Sequence, residues 1–252
     1  MDKQVKLIMV RHGQSLWNKE NLFTGWADVP LTEQGKKEAS EAGKLLENYN
    51  FHSAFCSTLT RANDTLSIIL NASRLASPEV TFDWRLNERH YGALEGLNKK
   101  QVSDEYGVEQ VKIWRRSFDI PPPPLLKSDE RYLTHKKKYS YLSTSEIPLS
   151  ESLKNTLDRV GPYWLTNIIP ILKNGSNVLV VAHGNSLRAL AKIIENISNE
   201  NILDLNIPTG VPREYVFNLD LSLLNVNYLG NEQDIIDKAN AVAHQANEQQ
   251  KK

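Results

Sequence analysis

The sequence has few of the features that mark secreted, membrane or nucleic-acid-binding proteins. Its single cysteine, Cys56, excludes an intrachain disulfide and any CxxC zinc or redox motif. Lysine plus arginine and aspartate plus glutamate number 30 each, so no global field attracts nucleic acid or a membrane surface. No apolar run is long enough to span a bilayer, and the first run, 5–10, is too short for a signal peptide and is broken by Lys6. We therefore expect a soluble, cytoplasmic protein without nucleic-acid or membrane partners.

Short apolar runs alternate with stretches of helical periodicity along the 252 residues. Runs that are typical of strands occur at 5–10, 51–57, 80–82, 178–182 and 215–219. Helical periodicity lies between them, and Thr32 is placed to cap the first long helix. Strands that alternate with helices predict an α/β fold, with three αβα layers around a mainly parallel sheet.

The segment from about 101 to 150 differs from this pattern. It is rich in charge, contains Pro121–Pro124, and shows no clear period over 127–141. Such a segment indicates an inserted flap and not a second domain. The last residues, about 240–252, have little to bury and predict a mobile tail. We expect a single domain over 1–252 with this insert and this tail.

Two of the strand-like runs end in the same motif, His-Gly-x-Ser-Leu, which begins at His12 and at His183. In open α/β sheets, ligands bind beyond the carboxyl ends of the strands, so both histidines are expected to face one crevice. Gly184 and the helix after it also place free backbone N–H groups beside His183, which suits an anion. Each histidine alone could be a hydrogen-bonded turn residue, but two in matching context favour a shared site.

Several common chemistries fit the two motifs poorly. A serine hydrolase would need Gly-x-Ser-x-Gly, but the fifth positions are Trp17 and Arg188. A metal site would need further ligands at a spacing such as HExxH, and nucleotide-dependent transfer would need a Walker A or GxGxxG loop. The sequence contains none of these motifs. Covalent phosphoryl transfer through histidine fits better, because imidazole, with a pKa of about 6.5, is largely neutral and nucleophilic at neutral pH.

Phosphoryl transfer needs positive charge around the phosphoryl oxygens, and the sequence supplies arginines at suitable places. Arg11 adjoins His12, Arg61 follows the second predicted strand, and Arg89 adjoins Glu88. Arg115 and Arg116 lie in the insert. The planar guanidinium binds phosphate and carboxylate bidentately, so these residues predict a local anion pocket. Glu88 could act there as general acid and base. Its alternative role is an ion pair with Arg85 or Arg89.

Long segments of the chain resemble one family. They include RHGQSLWNKENLFTGWADVPLTEQG, WRLNERHYGALEGLNK and VVAHGNSLRAL, and together they cover 11–35, 57–62, 84–99, 111–124, 151–156, 180–190 and 206–212. In these segments the sequence resembles the bisphosphoglycerate-dependent phosphoglycerate mutases of the histidine phosphatase superfamily. It departs from the family pattern over 127–141 and at Arg213-Glu214.

The resemblance implies a role for each matching residue. His12 would become phosphohistidine, primed by 2,3-bisphosphoglycerate, and His183 would stabilise charge during transfer. The phosphoryl group would be held by Arg11, Arg61, Asn18 and Asn185, with Glu88 as the acid and base for the substrate hydroxyls. The remaining contacts to substrate carboxylate and phosphate would come from Thr24, Gly25, Arg89, Tyr91, Lys99, Arg115 and Arg116, with Gly184 beside them.

The implied reaction is the glycolytic and gluconeogenic interconversion of 3-phosphoglycerate and 2-phosphoglycerate, an isomerisation that uses no metal. The resemblance also implies a homodimer or homotetramer, and we expect the insert and tail to exclude water from the pocket. The alternatives are a bisphosphoglycerate mutase, a general phosphatase of the superfamily, or an inactive interaction module. The family-type Ser15, Thr24 and Gly25 favour the glycolytic mutase over the first, and the basic insert disfavours the second. The presence of every catalytic residue disfavours the third.

Overall fold

A six-stranded mixed sheet forms the middle layer of the computed structural model, which describes residues 4–74 and 78–244. Its strands are β1 (Gln4–Arg11), β2 (Ser53–Cys56), β3 (Glu79–Phe82), β4 (Val178–Ala182), β5 (Pro212–Asn218) and β6 (Leu223–Tyr228). Their order across the sheet is β3-β2-β4-β1-β5-β6. The first four in this order pair in parallel, whereas β5 and β6 are antiparallel. The predicted α/β fold is confirmed, and β6 is a strand that the sequence reading missed.

Helices cover both faces of the sheet. In the described ranges they are α1 (Leu16–Lys19), α2 (Glu33–Leu45), α3 (Thr60–Ser73), α4 (Lys99–Tyr106), α5 (Val108–Arg116), α6 (Glu130–Lys138), α7 (Leu153–Tyr163), α8 (Ile169–Lys173), α9 (Gly184–Ile194) and α10 (Glu232–His244). Thr32 caps α2 as predicted, since its hydroxyl accepts from the Gly35 N–H at 3.0 Å. Within these ranges, no helix is both long and apolar enough to cross a membrane.

The central strand β1 is buried on both faces, which explains its almost uninterrupted apolar sequence. Leu7 and Met9 belong to one hydrophobic cluster, which includes residues of α7 and α9. Ile8 and Val10 belong to a second cluster on the opposite face, with residues of α2 and α3. Because side chains alternate along a strand, one run of apolar residues serves both layers. The predicted three layers are therefore present.

The segment from 101 to 150 is more regular than expected, because its run 127–141 contains α6. Only two residues of this helix, Tyr132 and His135, are buried, and Leu133 is 50% exposed. A helix with so narrow a buried face gives a weak period in the sequence, and this is why it was missed. Tyr132 packs in one hydrophobic cluster with Trp26, which follows Thr24 and Gly25 of the predicted site. The insert is thus attached to the body through α6.

The C-terminal segment also differs from the expectation of a tail that begins near residue 240. Residues 240–244 complete α10, while 245–252 lie outside the described residues. Its only apolar residues larger than alanine are Ile235, Ile236 and Val242, which left its sequence without a clear helical signal.

The departure from the family pattern at Arg213-Glu214 is accommodated by ion pairs at the start of β5. Arg213 Nη2 lies 2.8 Å from Glu195 Oε2. Glu214 Oε1 accepts from Lys6 Nζ at 2.8 Å and from the Tyr49 hydroxyl at 2.7 Å. Each buried charge therefore has an opposite charge or a hydrogen-bond donor beside it, as burial requires.

Candidate active site

The carboxyl ends of β1 and β4 bring the two motif histidines into contact. The His12 N–H donates to the Ala182 carbonyl at 3.0 Å, which continues the parallel pairing past the end of β1. His183 directly precedes α9. The two imidazole rings have centroids 4.9 Å apart, and both residues are buried. The two histidines therefore lie together at one edge of the sheet as expected, but of the two only His12 lines the cavity there.

The hydrogen bonds of His12 determine which ring nitrogen carries the proton. Nδ1 lies 2.7 Å from the Gly13 carbonyl, which can only accept, so Nδ1 is the protonated nitrogen. The lone pair of the neutral ring is therefore on Nε2, where Arg61 Nε approaches to 3.3 Å. His183 Nε2 lies 2.7 Å from the Ser57 hydroxyl, which fixes the second ring.

Both histidines are held in the neutral form at neutral pH. Burial lowers the pKa of His12 well below its ordinary value, and the charges of Arg61 and Arg11 lower it further. Burial and the charge of Arg61 likewise lower the pKa of His183 well below its ordinary value. A neutral imidazole is the nucleophilic form, so the electrostatics of the site favour attack by His12 Nε2 on an electrophile.

A small cavity of ≈ 70 Å³ adjoins His12, and its walls are strongly cationic. Six basic side chains line it: Arg11, Arg61, Lys99, Arg115, Arg116 and Arg188. Among the described residues, Glu88 is the one carboxylate in the lining. Burial lowers the pKa of both Arg61 and Arg115 to about 10, which still leaves them charged at neutral pH. The cavity therefore has a large excess of positive charge, and an anion with several negative charges would balance it.

The donors around His12 are only partly used by the protein. Arg61 Nη1 and Nη2 donate to the carbonyls of Ala27 and Gly25, each at 2.9 Å, so its guanidinium is held in place. Arg11 Nη1 donates to the Ile207 carbonyl at 2.9 Å, whereas its buried Nε has no partner in the described part of the chain. Buried donors without protein partners at a cavity wall are typical of a ligand site.

Gly184 leaves room at the same wall. A Cβ at this position would lie 3.6 Å from Arg11 Nε and 3.6 Å from Glu88 Oε2, so a side chain there would fill the space between them. The glycine also begins α9, where the helix dipole favours an anion, while the Asn185 N–H of the same turn donates to Glu88 Oε1.

Glu88 is positioned by hydrogen bonds and not by an ion pair. Its Oε1 accepts from the Arg89 N–H at 2.8 Å and from the backbone and side-chain nitrogens of Asn185, each at 3.0 Å. Arg85 pairs with Asp83 instead, and Arg89 Nη2 donates to the Arg115 carbonyl. The alternative role for Glu88, an ion pair with Arg85 or Arg89, is therefore not observed among the described residues.

Most of the predicted site residues line the cavity. Those that do are Arg11, His12, Asn18, Thr24, Arg61, Glu88, Tyr91, Lys99, Arg115, Arg116, Gly184 and Asn185. Three lie behind this lining: His183 contacts the His12 ring, Gly25 accepts from Arg61, and Arg89 stacks on the Tyr91 ring at 4.6 Å.

Four lining residues were not predicted: Leu22, Arg188, Ile207 and Val242. Three of them are apolar and carry no sequence signal of a site. Arg188 could have been found, because it lies three residues after Asn185 on α9 and therefore on the same helix face.

One group of buried residues outside the cavity has the composition of a metal site. The candidate ligand atoms of His90, Glu95 and His135 lie within 4.8 Å of one another. However, His135 Nε2 lies 2.9 Å from Glu95 Oε1, and His90 Nδ1 accepts from the Gly92 N–H at 3.0 Å. A metal bound at His90 Nε2 would need a proton on Nδ1, where this N–H already points. The group is better described as a hydrogen-bonded cluster, and metal-free chemistry remains a prediction.

Comparison with known proteins identifies the class to which this fold and site belong. The family model of the histidine phosphatase superfamily (branch 1) matches residues 7–140, and the chain belongs to this superfamily. Phosphoglycerate mutase from Bacillus anthracis str. Sterne is similar in structure, with a TM-score of 0.64, 20% identity and 97% coverage of both chains.

Two phosphatases are similar to the same degree. Mycobacterial glucosyl-3-phosphoglycerate phosphatase has a TM-score of 0.65 and 20% identity, over 89% of this chain and 97% of that one. The α-ribazole phosphatase from Shigella flexneri has a TM-score of 0.62 and 21% identity, over 88% and 95%. At such identities the similarity concerns the fold, which mutases and phosphatases share.

Proposed function

We propose that the protein is a phosphoglycerate mutase, which interconverts 3-phosphoglycerate and 2-phosphoglycerate through a phosphohistidine at His12 primed by 2,3-bisphosphoglycerate. The observation that carries this proposal is a neutral, buried His12 at a cavity with six basic side chains and one carboxylate. This arrangement combines a nucleophile, stabilisation of phosphoryl oxygens, and an acid and base for a hydroxyl group.

The residues around His12 suit phosphoryl transfer to and from its Nε2. Attack by Nε2 forms the N–P bond while the bond from phosphorus to the donor oxygen breaks. Arg11 and Arg61 stabilise the charge on the transferring oxygens, and the positive end of the α9 dipole assists them. Glu88 gives a proton to the departing substrate oxygen and removes the proton from the hydroxyl that accepts the phosphoryl group in the reverse step. His183 supports the His12 ring from behind.

The charge on the wall away from His12 supports a mutase over a simple phosphatase. Arg115 and Arg116 at the end of α5 provide cations from a separate part of the chain, and Lys99 of α4 lies in the same lining with its pKa lowered by burial and by the charge of Arg115. A bisphosphorylated carboxylic acid carries anionic groups at both ends and could bind in either orientation in such a pocket. A phosphate monoester without a carboxylate needs cations at one end of the pocket only.

Phosphatase activity is the second candidate, because water could replace the acceptor hydroxyl in the same cavity. The comparable similarity to two phosphatases supports it. The residues of α5 and α10 in the cavity lining disfavour it, because a ligand covered by these helices would be shielded from water.

A phosphoenzyme experiment tests the proposed function directly. The protein is mixed with 2,3-bisphosphoglycerate, and acid-labile phosphate on His12 is located by mass spectrometry of the intact protein and its peptides. Chase with 3-phosphoglycerate should transfer the original phosphoryl group to that substrate, so that it appears in 2-phosphoglycerate and 2,3-bisphosphoglycerate with little free phosphate. His12→Ala should not be labelled, whereas the exposed His52→Ala should behave as wild type. Label on another residue, or a chase that yields only free phosphate, would contradict the proposal.

A further inference from the structure

We propose that Arg188 is a positioning residue that orients Glu88 through the side-chain amide of Asn185. The inference rests on the proposed function, in which Glu88 is the acid and base. Arg188 belongs to α9, is 4% exposed and lies at the cavity wall.

The guanidinium of Arg188 forms two hydrogen bonds with the protein. Nη1 donates to Asn185 Oδ1 at 2.9 Å, and Nη2 donates to the Ile202 carbonyl at 2.6 Å. The second bond fixes the guanidinium against the loop after α9, so the first points in a defined direction. Two parallel donors on a rigid plane give this precision, which a lysine ammonium does not.

Arg188 has no carboxylate in an ion pair with it among the residues that the structure describes. Its surroundings instead oppose its charge, because burial and the charges of Arg116 and Arg89 lower its pKa to about 9. A buried cation without a counter-ion reduces stability, so its presence here points to a functional role. The hydrogen bond to Asn185 identifies that role.

The orientation of the Asn185 amide follows from this bond. With Oδ1 held by Arg188, Nδ2 points to Glu88 Oε1 at 3.0 Å and to the Tyr91 hydroxyl at 3.2 Å. A flipped amide would place its oxygen against the carboxylate and its NH₂ group against the guanidinium, and both contacts would be repulsive. Arg188 therefore excludes the flipped state.

Glu88 is oriented by the same amide. Its Oε1 accepts three hydrogen bonds, one from the Asn185 side-chain amide and two from the backbone N–H groups of Arg89 and Asn185, while Oε2 lies beside Gly184. The carboxylate plane is thus fixed, and Oε2 is presented to the cavity for proton transfer. Loss of Arg188 would free the amide and so weaken one of the three hydrogen bonds that orient the carboxylate, without removing either group.

A double-mutant cycle separates this indirect role from direct binding of an anion by Arg188, whose buried Nε has no partner in the described ranges. Arg188→Met, Glu88→Gln and the double variant are compared in the conversion of 3-phosphoglycerate. We expect Arg188→Met to lower kcat about 10-fold or more with KM changed less than about threefold, and to have less than about a twofold effect in the Glu88→Gln background. Multiplicative losses, or an effect mainly on KM, would overturn the proposal.

Two further variants control for effects on folding. Arg188→Lys keeps the charge but cannot bridge Asn185 and Ile202, so we expect it to resemble Arg188→Met and to replace it in the cycle if that variant does not fold. Arg213→Lys changes another buried arginine, in β5, which pairs with Glu195 outside the cavity lining, and should retain wild-type kcat.

Failure of the proposed function would be visible in the wild-type control. If wild type releases phosphate from 3-phosphoglycerate without isomerising it, the mutase proposal fails. The same cycle run on that hydrolysis still tests Arg188, because the alkoxide leaving group needs the same proton. Losses in kcat that multiply in the double variant, in either reaction, would reject the positioning role.

Discussion

At the scale of single residues, the chemistry depends on how burial acts on His12. An exposed imidazole is half protonated near pH 6.5, and the protonated form cannot attack phosphorus. Burial, Arg61 and Arg11 all lower the pKa of His12, so the arginines that would bind the phosphoryl group also keep the nucleophile neutral. In the proposed reaction, one cluster of charges would therefore serve both binding and activation.

This electrostatic arrangement predicts the titration of His12. As the pH falls from 8 to about 6, Nε2 should stay unprotonated, because its pKa lies well below the unperturbed value of about 6.5. The measurement is ¹⁵N NMR of histidine-labelled protein, with His12 assigned from the spectrum of His12→Ala. A midpoint at or above pH 6.5 would contradict the assignment of a neutral nucleophile.

Substitution of the two central residues should have different effects. His12→Ala removes the nucleophile and should lower mutase turnover by at least about 10⁴-fold. Glu88→Gln keeps the hydrogen bonds to Oε1 but cannot transfer a proton, so kcat should fall about 10²–10⁴-fold while the protein still binds the phosphoryl group. Steady-state kinetics and His12 labelling measure the two effects. Appreciable turnover by His12→Ala would mean that the nucleophile is another residue.

At the scale of secondary-structure elements, the sequence predicted what depends on local pattern. The buried runs that end at His12 and His183 identify β1, β4 and the shared crevice, because carboxyl ends of parallel strands meet at one sheet edge. The pattern could not reveal α6, whose buried face is narrow, or the contact of α10 with the site. These depend on packing between distant segments, which a single sequence does not show.

Helix α6 supports the site through Glu95. His135 Nε2 lies 2.9 Å from Glu95 Oε1, and Glu95 Oε2 accepts from the N–H groups of Trp26 and Ala27 at 3.0 and 3.3 Å. The segment 25–27 also carries the two carbonyls that accept from Arg61. Glu95 therefore connects the insert to Arg61, which lies against His12.

Glu95→Ala should therefore destabilise the protein by about 3 kcal/mol or more, because it leaves two buried N–H groups and His135 without their partner. Burial alone would raise the pKa of Glu95, but the His135 hydrogen bond and nearby histidines lower it overall. The contribution is thus present above the unfolded pKa of about 4.3 and is lost as the pH falls through the folded value. Urea unfolding at pH 7 and at a series of acid pH values down to about 3 checks this, with exposed Glu41→Ala as control. Equal stability of Glu95→Ala and wild type at pH 7 would contradict it.

The C-terminal helix provides a second test at this scale. Val242 lines the cavity, and its carbonyl lies 3.4 Å from Arg116 Nη2. Deletion of residues 240–252 should open the cavity to water and raise phosphate release relative to isomerisation. Deletion of 245–252 alone is the matched control for cover by the described end of α10. An unchanged ratio in the longer deletion would reject this role for the C-terminal segment.

At the scale of the whole molecule, a balanced charge conceals a strong local asymmetry. Basic and acidic residues number 30 each, yet the cavity is lined by six basic side chains and one acidic one. The protein thus concentrates positive charge where a small polyanion can bind, while the remainder of the chain carries an excess of acidic residues. This distribution favours a phosphorylated metabolite as substrate over a macromolecular polyanion.

Conversion of 3-phosphoglycerate to 2-phosphoglycerate by the purified protein tests this account most directly. The assay is run with and without catalytic 2,3-bisphosphoglycerate, in the presence of a chelator, and free phosphate is followed in the same samples. A phosphohistidine mutase should give conversion that depends on 2,3-bisphosphoglycerate, resists the chelator and releases little phosphate. Phosphate release without isomerisation, or no change in either product by folded protein, would contradict it.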